Sequence, residues 1–269
     1  MATQREAGRR HSAAAPPSRP SSSVLRLTRR AVATALCLLP AVVVAGGAQA
    51  ATAPSIAPQQ ELVTLLSAHS VSATPGGAVE ASVAATRPLT KEQTVLPVLS
   101  SEIDNSVDAQ GQLWLQVRLP GRVLGHKAPP ATGWINAAGA TISSTGWHLV
   151  VDLGARSVLV YDDGVEVHSY KAVVGKSSTP TPTGEYFVEE NVKMPAGAPG
   201  APFALATSDR SKVLREFEGG PGQIAIHGIE NLGGTLGTAE SHGCIRLGTS
   251  AIDWLAARIG PGVPITIIA

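Results

Sequence analysis

The chain has 269 residues, enough for one or two domains with cores of their own, and its formal net charge of +1 is unevenly distributed. Residues 1–30 carry seven arginines and one glutamate, so the rest of the chain is net acidic, which excludes a broad nucleic-acid-binding surface. With 43% apolar residues, 28 glycines and 20 prolines, the composition favours strands and turns over a helical bundle.

Residues 1–50 are typical of a secretory signal peptide. Arg29-Arg30 precedes an apolar run at 31–45, and the Ala-Gln-Ala of residues 48–50 is a small-residue cleavage pattern. We expect cleavage after Ala50, export to the cell wall or periplasmic space, and no stable membrane insertion afterwards; an uncleaved anchor is the alternative. The arginine pair leaves the export route open between Sec and Tat. Cys37 would leave with the signal, so Cys244 would be the only thiol of the mature chain and could form no internal disulfide.

The next two segments are a predicted linker and a predicted small β domain. Residues 51–92 are rich in Ala, Ser, Thr and Pro, which indicates a flexible linker with at most a short helix at 61–70. Strand-like alternation at 114–119 and 132–135, with a Pro-Gly turn between, predicts short strands. The run WLQVRLPGRVLG followed by TGWI resembles the SH3-like domains that precede the catalytic domain of some cell-wall enzymes, which implies a small β-barrel at 93–144. The alternative is that these strands extend the following domain.

Residues 145–269 are predicted to be a mainly β domain with one helix. The strands are predicted at 149–153, 157–161, 165–174, 185–190, 223–228 and 263–268. The pattern between Ala251 and Ile259 predicts a short helix, with Ser250 as its N-cap and Asp253 completing a capping box. Gly260-Pro261 would end this helix.

The stretch from His227 to Leu247 holds the candidate chemistry. A cysteine acts as a nucleophile when it is a thiolate, and an imidazole near Cys244 would promote that ionisation. His227 ends a strand in which it shares a face with Ala225, away from Ile224 and Ile226, so it is the preferred base. Two alternatives stay open: His242 as the base, and Cys244 as a buried apolar side chain. A zinc site is disfavoured because H-x14-H-x-C matches no common zinc spacing, and no metal or other cofactor is predicted.

The same stretch carries a resemblance to a known family. An HG pair followed by a glycine-rich loop and SHGCIRL, with STPTPTGEYFV upstream and GVPITI downstream, is similar to the L,D-transpeptidase catalytic domain, the YkuD family, over about residues 147–269. The resemblance implies a β-sandwich-like fold with a cysteine in a cleft. It also implies attack by Cys244 on a peptidoglycan tetrapeptide stem, release of D-alanine, transfer of the acyl group to a neighbouring stem, and acylation by carbapenems.

Each residue of the motif receives a role in this hypothesis. Gly243 permits close approach of substrate, and its amide and that of Cys244 are candidates for the oxyanion hole. His242 and Ser241 shape the site.

Two residues are assigned to the substrate side. Arg246 would bind a carboxylate, with a structural ion pair as the alternative, and the carbonyl of Gly228 would also orient the ring of His227. The sequence leaves open an L,D-carboxypeptidase with water as acceptor, a non-catalytic wall-binding protein, the stem specificity and the oligomeric state.

Overall fold

The computed structural model describes residues 54–104 and 111–269. The predicted signal peptide at 1–50, with Cys37, lies outside the described residues, so these remain predictions. Within the described part, no helix is long and apolar enough to cross a membrane.

The first half of the described chain forms a seven-stranded sheet. Its hydrogen-bonded order is β3-β2-β6-β5-β4-β1-β7, and every described pairing within it is antiparallel. In chain order the strands are β1 Gln60–Leu65, β2 His69–Ser72, β3 Val79–Val83, β4 Val95–Asp104, β5 Gln112–Arg118, β6 Thr132–Asn136 and β7 Ala140–Thr145.

The prediction of a flexible linker at 51–92 is wrong for its described part. Three strands, β1 to β3, lie within it, and the segment predicted as a short helix at 61–70 is β1 followed by the start of β2. Leu62, Val63 and Leu65 are buried because β1 lies between β4 and β7, which come more than 30 residues later. A local pattern cannot reveal such distant partners. The SH3-like assignment of 93–144 stays a prediction, and its boundary at residue 93 falls inside this sheet.

The second half forms an eight-stranded mixed sheet with the order β10-β9-β8-β17-β12-β13-β14-β16. In this sheet β8 pairs with β17 and β14 pairs with β16 in parallel, and the other neighbouring strands pair antiparallel. A separate parallel pair joins β11 to β15. The strands are β8 His148–Asp152, β9 Ser157–Asp162, β10 Val165–Lys171, β11 Val174–Gly175, β12 Gly184–Lys193, β13 Phe203–Arg210, β14 Gln223–Gly228, β15 Ala239–Ser241, β16 Ile245–Leu247 and β17 Pro264–Ile268.

One helix, α1 Thr249–Ala256, lies between β16 and β17. Its N-cap is Gly248, which provides no side-chain hydrogen bond, so the predicted cap at Ser250 and its capping box with Asp253 are wrong. The strand β16 ends at Leu247, and the chain turns into the helix two residues earlier than the sequence pattern indicates. At the other end, the Asn191 side-chain amide donates to the carbonyls of Ala256 and Ile259 at 2.7 and 3.1 Å.

The buried apolar side chains form two clusters, one for each large sheet. Helix α1 contributes Ala251, Ile252 and Leu255 to the second cluster, where they pack against the β13 and β14 side of the sheet. Phe187 of β12 is an exception, because it belongs to the core of the first sheet. The predicted mainly β fold, with one short helix following Cys244, is confirmed for the described residues.

Candidate functional site

Two neighbouring parallel strands, β14 and β16, place the histidine and the cysteine of the motif together. Ile226 pairs with Ile245, and His227 pairs with Arg246. Cys244, two residues before Arg246, therefore lies beside Ala225. Ile226 and Ile245 are buried, whereas Cys244, Arg246 and His227 alternate with them and are half-buried. From strand geometry, the backbones at Cys244 and His227 are about 8 Å apart on this shared open face, a separation that their side chains can bridge.

The ring of His227 is fixed from two sides. Its Nδ1 lies 2.7 Å from the carbonyl oxygen of Gly228, so the proton of the neutral ring belongs on Nδ1 and Nε2 is the unprotonated nitrogen. Gly200, with φ of +89°, lies against the ring: a Cβ at this position would be 2.8 Å from Nδ1. Burial lowers the pKa of His227; the carbonyl of Gly228 opposes this, and the Arg246 guanidinium lowers it further. The ring is therefore neutral and able to accept a proton at neutral pH.

Cys244 is a free, half-buried thiol at the start of β16. Its Sγ–H points to the carbonyl oxygen of Gln223, 3.9 Å away. Burial raises the pKa of the Cys244 thiol; the backbone amide of Ala225 and the charge of Arg246 oppose the rise. Because the pKa of the thiol is raised and that of His227 is lowered, the resting pair is a neutral thiol beside a neutral imidazole. A pair in this state can supply a thiolate only if the thiol proton moves to a base.

Ser241 and Gly243 hold the turn that leads into Cys244. The fully buried Ser241 hydroxyl donates to the carbonyl of Cys244 at 2.5 Å and accepts the Gly243 amide at 3.1 Å. The Gly243 amide is thus already engaged, which contradicts its predicted place in the oxyanion hole. The Cys244 amide has no hydrogen-bond partner among residues 54–104 and 111–269 and remains a candidate donor. Gly243 has φ of +121°, and a Cβ there would lie 2.9 Å from Ile224 Cδ1, so this position requires glycine.

Two threonines that the sequence analysis did not single out support the same turn. Thr181 Oγ1 donates to the carbonyl of Gly243 at 2.7 Å, and Thr179 Oγ1 donates to that of Ser241 at 3.2 Å. Both lie in the TPTPTG segment at 179–184. The available signal was the pair of threonines spaced two apart, which can present both hydroxyls on one side of an extended segment.

His242 lies apart from the hydrogen-bonded turn. Its side chain is exposed and stacks on Phe217, with ring centroids 6.1 Å apart and planes inclined by 26°. Phe217 belongs to the loop between β13 and β14 and is itself 46% exposed. His242 therefore borders the open side of the site, and the restrained ring is that of His227.

Arg246 reaches across to the glycine-rich loop. Its guanidinium donates to the carbonyl of Gly233, and its backbone exchanges two hydrogen bonds with Val173, both of 2.9 Å. It forms no salt bridge with the acidic residues that the structure describes, so the ion-pair alternative finds no support there. The arginine instead contacts the glycine-rich loop and places a positive charge near both the thiol and the imidazole.

In the part of the chain that the structure describes, no group of three or more His, Cys, Asp and Glu side chains is arranged to hold a metal ion. The chemistry that the site supports rests on a thiol, an imidazole and backbone amides. Such a set can transfer an acyl group through a covalent intermediate.

Comparisons with known proteins agree with this arrangement. The family model of YkuD, described as the L,D-transpeptidase catalytic domain, matches residues 146–267. The chain is 30% identical over 121 residues to the putative L,D-transpeptidase YkuD of Bacillus subtilis (strain 168); the match covers 45% of this chain and 65% of that relative. The chain thus spans slightly less than two thirds of the curated relatives it matches.

Two solved structures illustrate the likeness. An L,D-transpeptidase from Mycobacterium smegmatis is 19% identical, with 65% of this chain and 99% of that chain covered and a TM-score of 0.37. One from Mycobacterium tuberculosis H37Rv is 18% identical, with 65% and 90% covered and a TM-score of 0.40. The family match and the curated relative, rather than these structures, carry the likeness: residues 146–267 match the L,D-transpeptidase catalytic domain of the YkuD family.

Proposed function

We propose that this protein is an exported peptidoglycan L,D-transpeptidase in which Cys244 is the nucleophile and His227 its general base. The observation that carries the proposal is the hydrogen bond between His227 Nδ1 and the Gly228 carbonyl. This bond leaves Nε2 as the basic nitrogen on the strand next to the thiol. The family assignment of residues 146–267 supports an acyl-transfer reaction.

The acylation step begins from the neutral pair. His227 Nε2 takes the thiol proton while Cys244 Sγ attacks the carbonyl carbon of the L-centre in a tetrapeptide stem. The tetrahedral intermediate collapses with cleavage of the bond to the terminal D-alanine. The protonated ring gives its proton to the leaving amine, and a thioester remains on Cys244.

The second half of the reaction reverses these roles. The amine of a neighbouring stem attacks the thioester, His227 removes the proton from that amine, and the returning thiolate recovers the proton. The product is an amide cross-link between two stems. The amide of Cys244 is the proposed oxyanion donor, because that of Gly243 is already bonded to Ser241.

The charge near the site fits an anionic substrate. Arg246 is the cation beside Cys244 and His227, and the carboxylates of a stem are the groups it would attract. Its guanidinium already contacts Gly233, so we expect Arg246 to act on the substrate together with that loop.

The test is incubation of the mature chain with purified stem tetrapeptides, followed by mass spectrometry. The expected product is a cross-linked dimer, formed with loss of D-alanine. A tripeptide without dimer would identify water as the acceptor and contradict transpeptidation. Unchanged tetrapeptide would contradict acyl transfer on these stems altogether.

A carbapenem provides the matched probe of the nucleophile. Wild-type protein is expected to gain the mass of one carbapenem, and Cys244→Ala to gain none. The control is Ser250→Ala, an exposed position six residues away, which should be labelled like the wild type. Labelling of Cys244→Ala would show that another residue is the nucleophile.

A further inference from the structure

A buried carboxylate on β12 joins the first sheet to the strand that carries the catalytic histidine. Glu189 is 1% exposed and lies at a β-bulge, where the register shifts between Val188 and Glu190. It forms salt bridges to Arg210 and to Arg87, and its Oε1 accepts the backbone amide of Gly121 at 2.8 Å. Arg87 and Gly121 belong to the first half of the chain, so this carboxylate receives hydrogen bonds from both halves.

The same carboxylate reaches the candidate active site through Gln223. The side-chain amide of Gln223 donates to Glu189 Oε2 at 3.3 Å and to the Thr207 carbonyl at 2.9 Å. The backbone carbonyl of Gln223 is the acceptor for the Cys244 thiol. A path of direct contacts thus runs from Arg87 through Glu189 and Gln223 to Cys244.

Gln223 occupies a place where such support matters. It is the first residue of β14, and it follows Gly222, which has φ of +65° and ends the loop after β13. A terminal strand residue has fewer ladder partners than an interior one and opens more readily. The two hydrogen bonds of its side chain hold the residue in place, and with it the carbonyl that orients the thiol.

We propose that Glu189 is a positioning residue for Cys244, acting through Gln223 and held in place by Arg87 and Gly121, which lie in loops between strands of the first sheet. This role rests on the proposed function of Cys244 as the nucleophile. The first sheet then contributes to catalysis, because it holds the Glu189 carboxylate, and Glu189 in turn holds Gln223 at the start of β14.

Glu190 provides a matched control. It is also 1% exposed and binds the first sheet, accepting the backbone amides of Leu89 and Thr90 at 3.0 and 2.7 Å. No hydrogen bond joins Glu190 to Gln223 among the described residues. Glu189→Gln and Glu190→Gln therefore both weaken the attachment of the first sheet, but only the former disturbs Gln223.

The experiment measures the maximal rate of carbapenem acylation and the half-saturating concentration for both variants. We expect Glu189→Gln to lower the maximal rate about 10-fold, since displacement of a reacting group by a fraction of an ångström suffices for that loss. The half-saturating concentration should not change, and Glu190→Gln should remain within about 2-fold of the wild type. A direct charge effect has the opposite sign, because uncompensated arginines favour the thiolate and would raise the rate.

A double-mutant cycle with Gln223→Leu identifies the path. Gln223→Leu alone should lose about 10-fold in maximal rate, and adding Glu189→Gln should cost little more. Additive losses, or equal losses in Glu189→Gln and Glu190→Gln, would overturn the proposal. If Glu189→Gln does not fold, the test rests on Gln223→Leu alone. A wild-type maximal rate of acylation in that variant would overturn the proposal.

The same cycle with iodoacetamide, at a pH where the thiol is ionised, separates this inference from the proposed function. Alkylation requires an accessible thiol but no peptidoglycan chemistry. A protein that resists carbapenem but shows the non-additive alkylation pattern would contradict the proposed function and support the positioning role. Carbapenem acylation together with additive alkylation losses would support the proposed function and contradict the positioning role.

Discussion

At the scale of single residues, the site depends on positions where a side chain would be harmful. The ring of His227 has the Gly228 carbonyl on one side and the bare Cα of Gly200 on the other. The carbonyl fixes the tautomer, and the glycine leaves the ring room to adopt its orientation. A methyl group at residue 200 would therefore act on the ring directly.

Gly200→Ala is expected to lower the maximal rate of carbapenem acylation by about 10-fold or more, because the new Cβ displaces the ring of His227, the proposed base. Gly197→Ala is the control. Gly197 also has a positive φ, of +75°, but a Cβ there meets nothing within 4 Å. Both variants carry the backbone cost of a left-handed residue, about 1 kcal/mol, so their melting temperatures should fall together. Equal acylation rates for the two variants would show that the ring does not depend on Gly200.

The candidate reacting residues are easier to predict from the sequence than the residues that support them. Cys244 and His227 stand out because a thiol and an imidazole near glycines carry a recognisable chemistry. Gln223 and Thr181 act through a backbone carbonyl and a hydroxyl on other segments, and their contacts exist only once β14, β16 and the TPTPTG loop are assembled. The engagement of the Gly243 amide by Ser241 is likewise a property of the folded turn.

At the scale of secondary-structure elements, helix α1 begins without a capping side chain. Gly248 has φ of −60° and ψ of 150°, which any L-residue adopts, and a Cβ there would lie 3.7 Å from Leu236 Cδ1, an ordinary contact. The first turn therefore has room for a serine hydroxyl that could accept a helix amide.

Gly248→Ser is expected to stabilise the fold by about 1 kcal/mol, through the new cap and the reduced entropy of the unfolded chain. Thermal denaturation should show a rise of roughly 2–4 °C in the melting temperature. Ser250→Ala is the control: because Ser250 is not the cap, its loss should change stability by less than about 0.5 kcal/mol. A larger loss in Ser250→Ala would restore the capping role that the sequence pattern indicates.

Strands with a clear apolar pattern were predictable, whereas β13, with three consecutive buried polar residues, was not. The predicted strands at 157–161 and 223–228 correspond to β9 and β14 within one residue at their ends. Strand β13 escaped prediction because its second half contains Thr207, Ser208 and Asp209, all buried and polar. Their burial depends on hydrogen bonds to other strands, such as that from Thr207 Oγ1 to the Ile224 carbonyl.

At the scale of the whole molecule, a buried acid links stability to pH. Asp209 is 2% exposed, its Oδ2 has no hydrogen-bond partner among the described residues, and it borders a cavity of ≈ 250 Å³. Burial raises the pKa of Asp209 to about 7, although the amide of Arg210 and the hydroxyl of Tyr186 oppose the rise. The folded chain therefore retains a proton between about pH 4 and pH 7 that the unfolded chain loses. Stability consequently falls as the pH rises through this range.

Asp209→Asn removes this ionisation. The variant should gain stability relative to the wild type as the pH rises from 4 to 7, by up to about 4 kcal/mol. Denaturant unfolding at several pH values measures the difference. The comparison must be made between proteins at each pH, because burial lowers the pKa of His148 to about 4, which reduces the stability of both as the pH falls below 6.5. The control for the substitution itself is Asp253→Asn, which makes the same change at an exposed carboxylate. A constant difference for Asp209→Asn would contradict the raised pKa.

The molecular plan was only half predictable. The family match begins at residue 146, one residue after the predicted boundary, and the division into domains stays a prediction. Part of the first sheet was predicted to be a flexible linker, because its strands there are short and its composition is polar. The contacts that join the two sheets, such as the Arg87–Glu189 salt bridge, connect residues about 100 positions apart in the chain. No local sequence pattern reveals such contacts.

The side chain of Phe187 limits how the chain can be divided. It extends from a strand of the family domain into the interior of the preceding sheet, and Gly262 lies against Val95 and Leu62 nearby. A fragment cut at the family boundary would expose an aromatic ring, and it would remove Arg87 and Gly121 from Glu189 and the Leu89 and Thr90 amides from Glu190. Such a fragment would retain every residue of the motif. It would nevertheless expose an apolar and charged surface next to the strand that supports its thiol. Inactivity of the fragment would therefore not test the chemistry proposed for the intact protein.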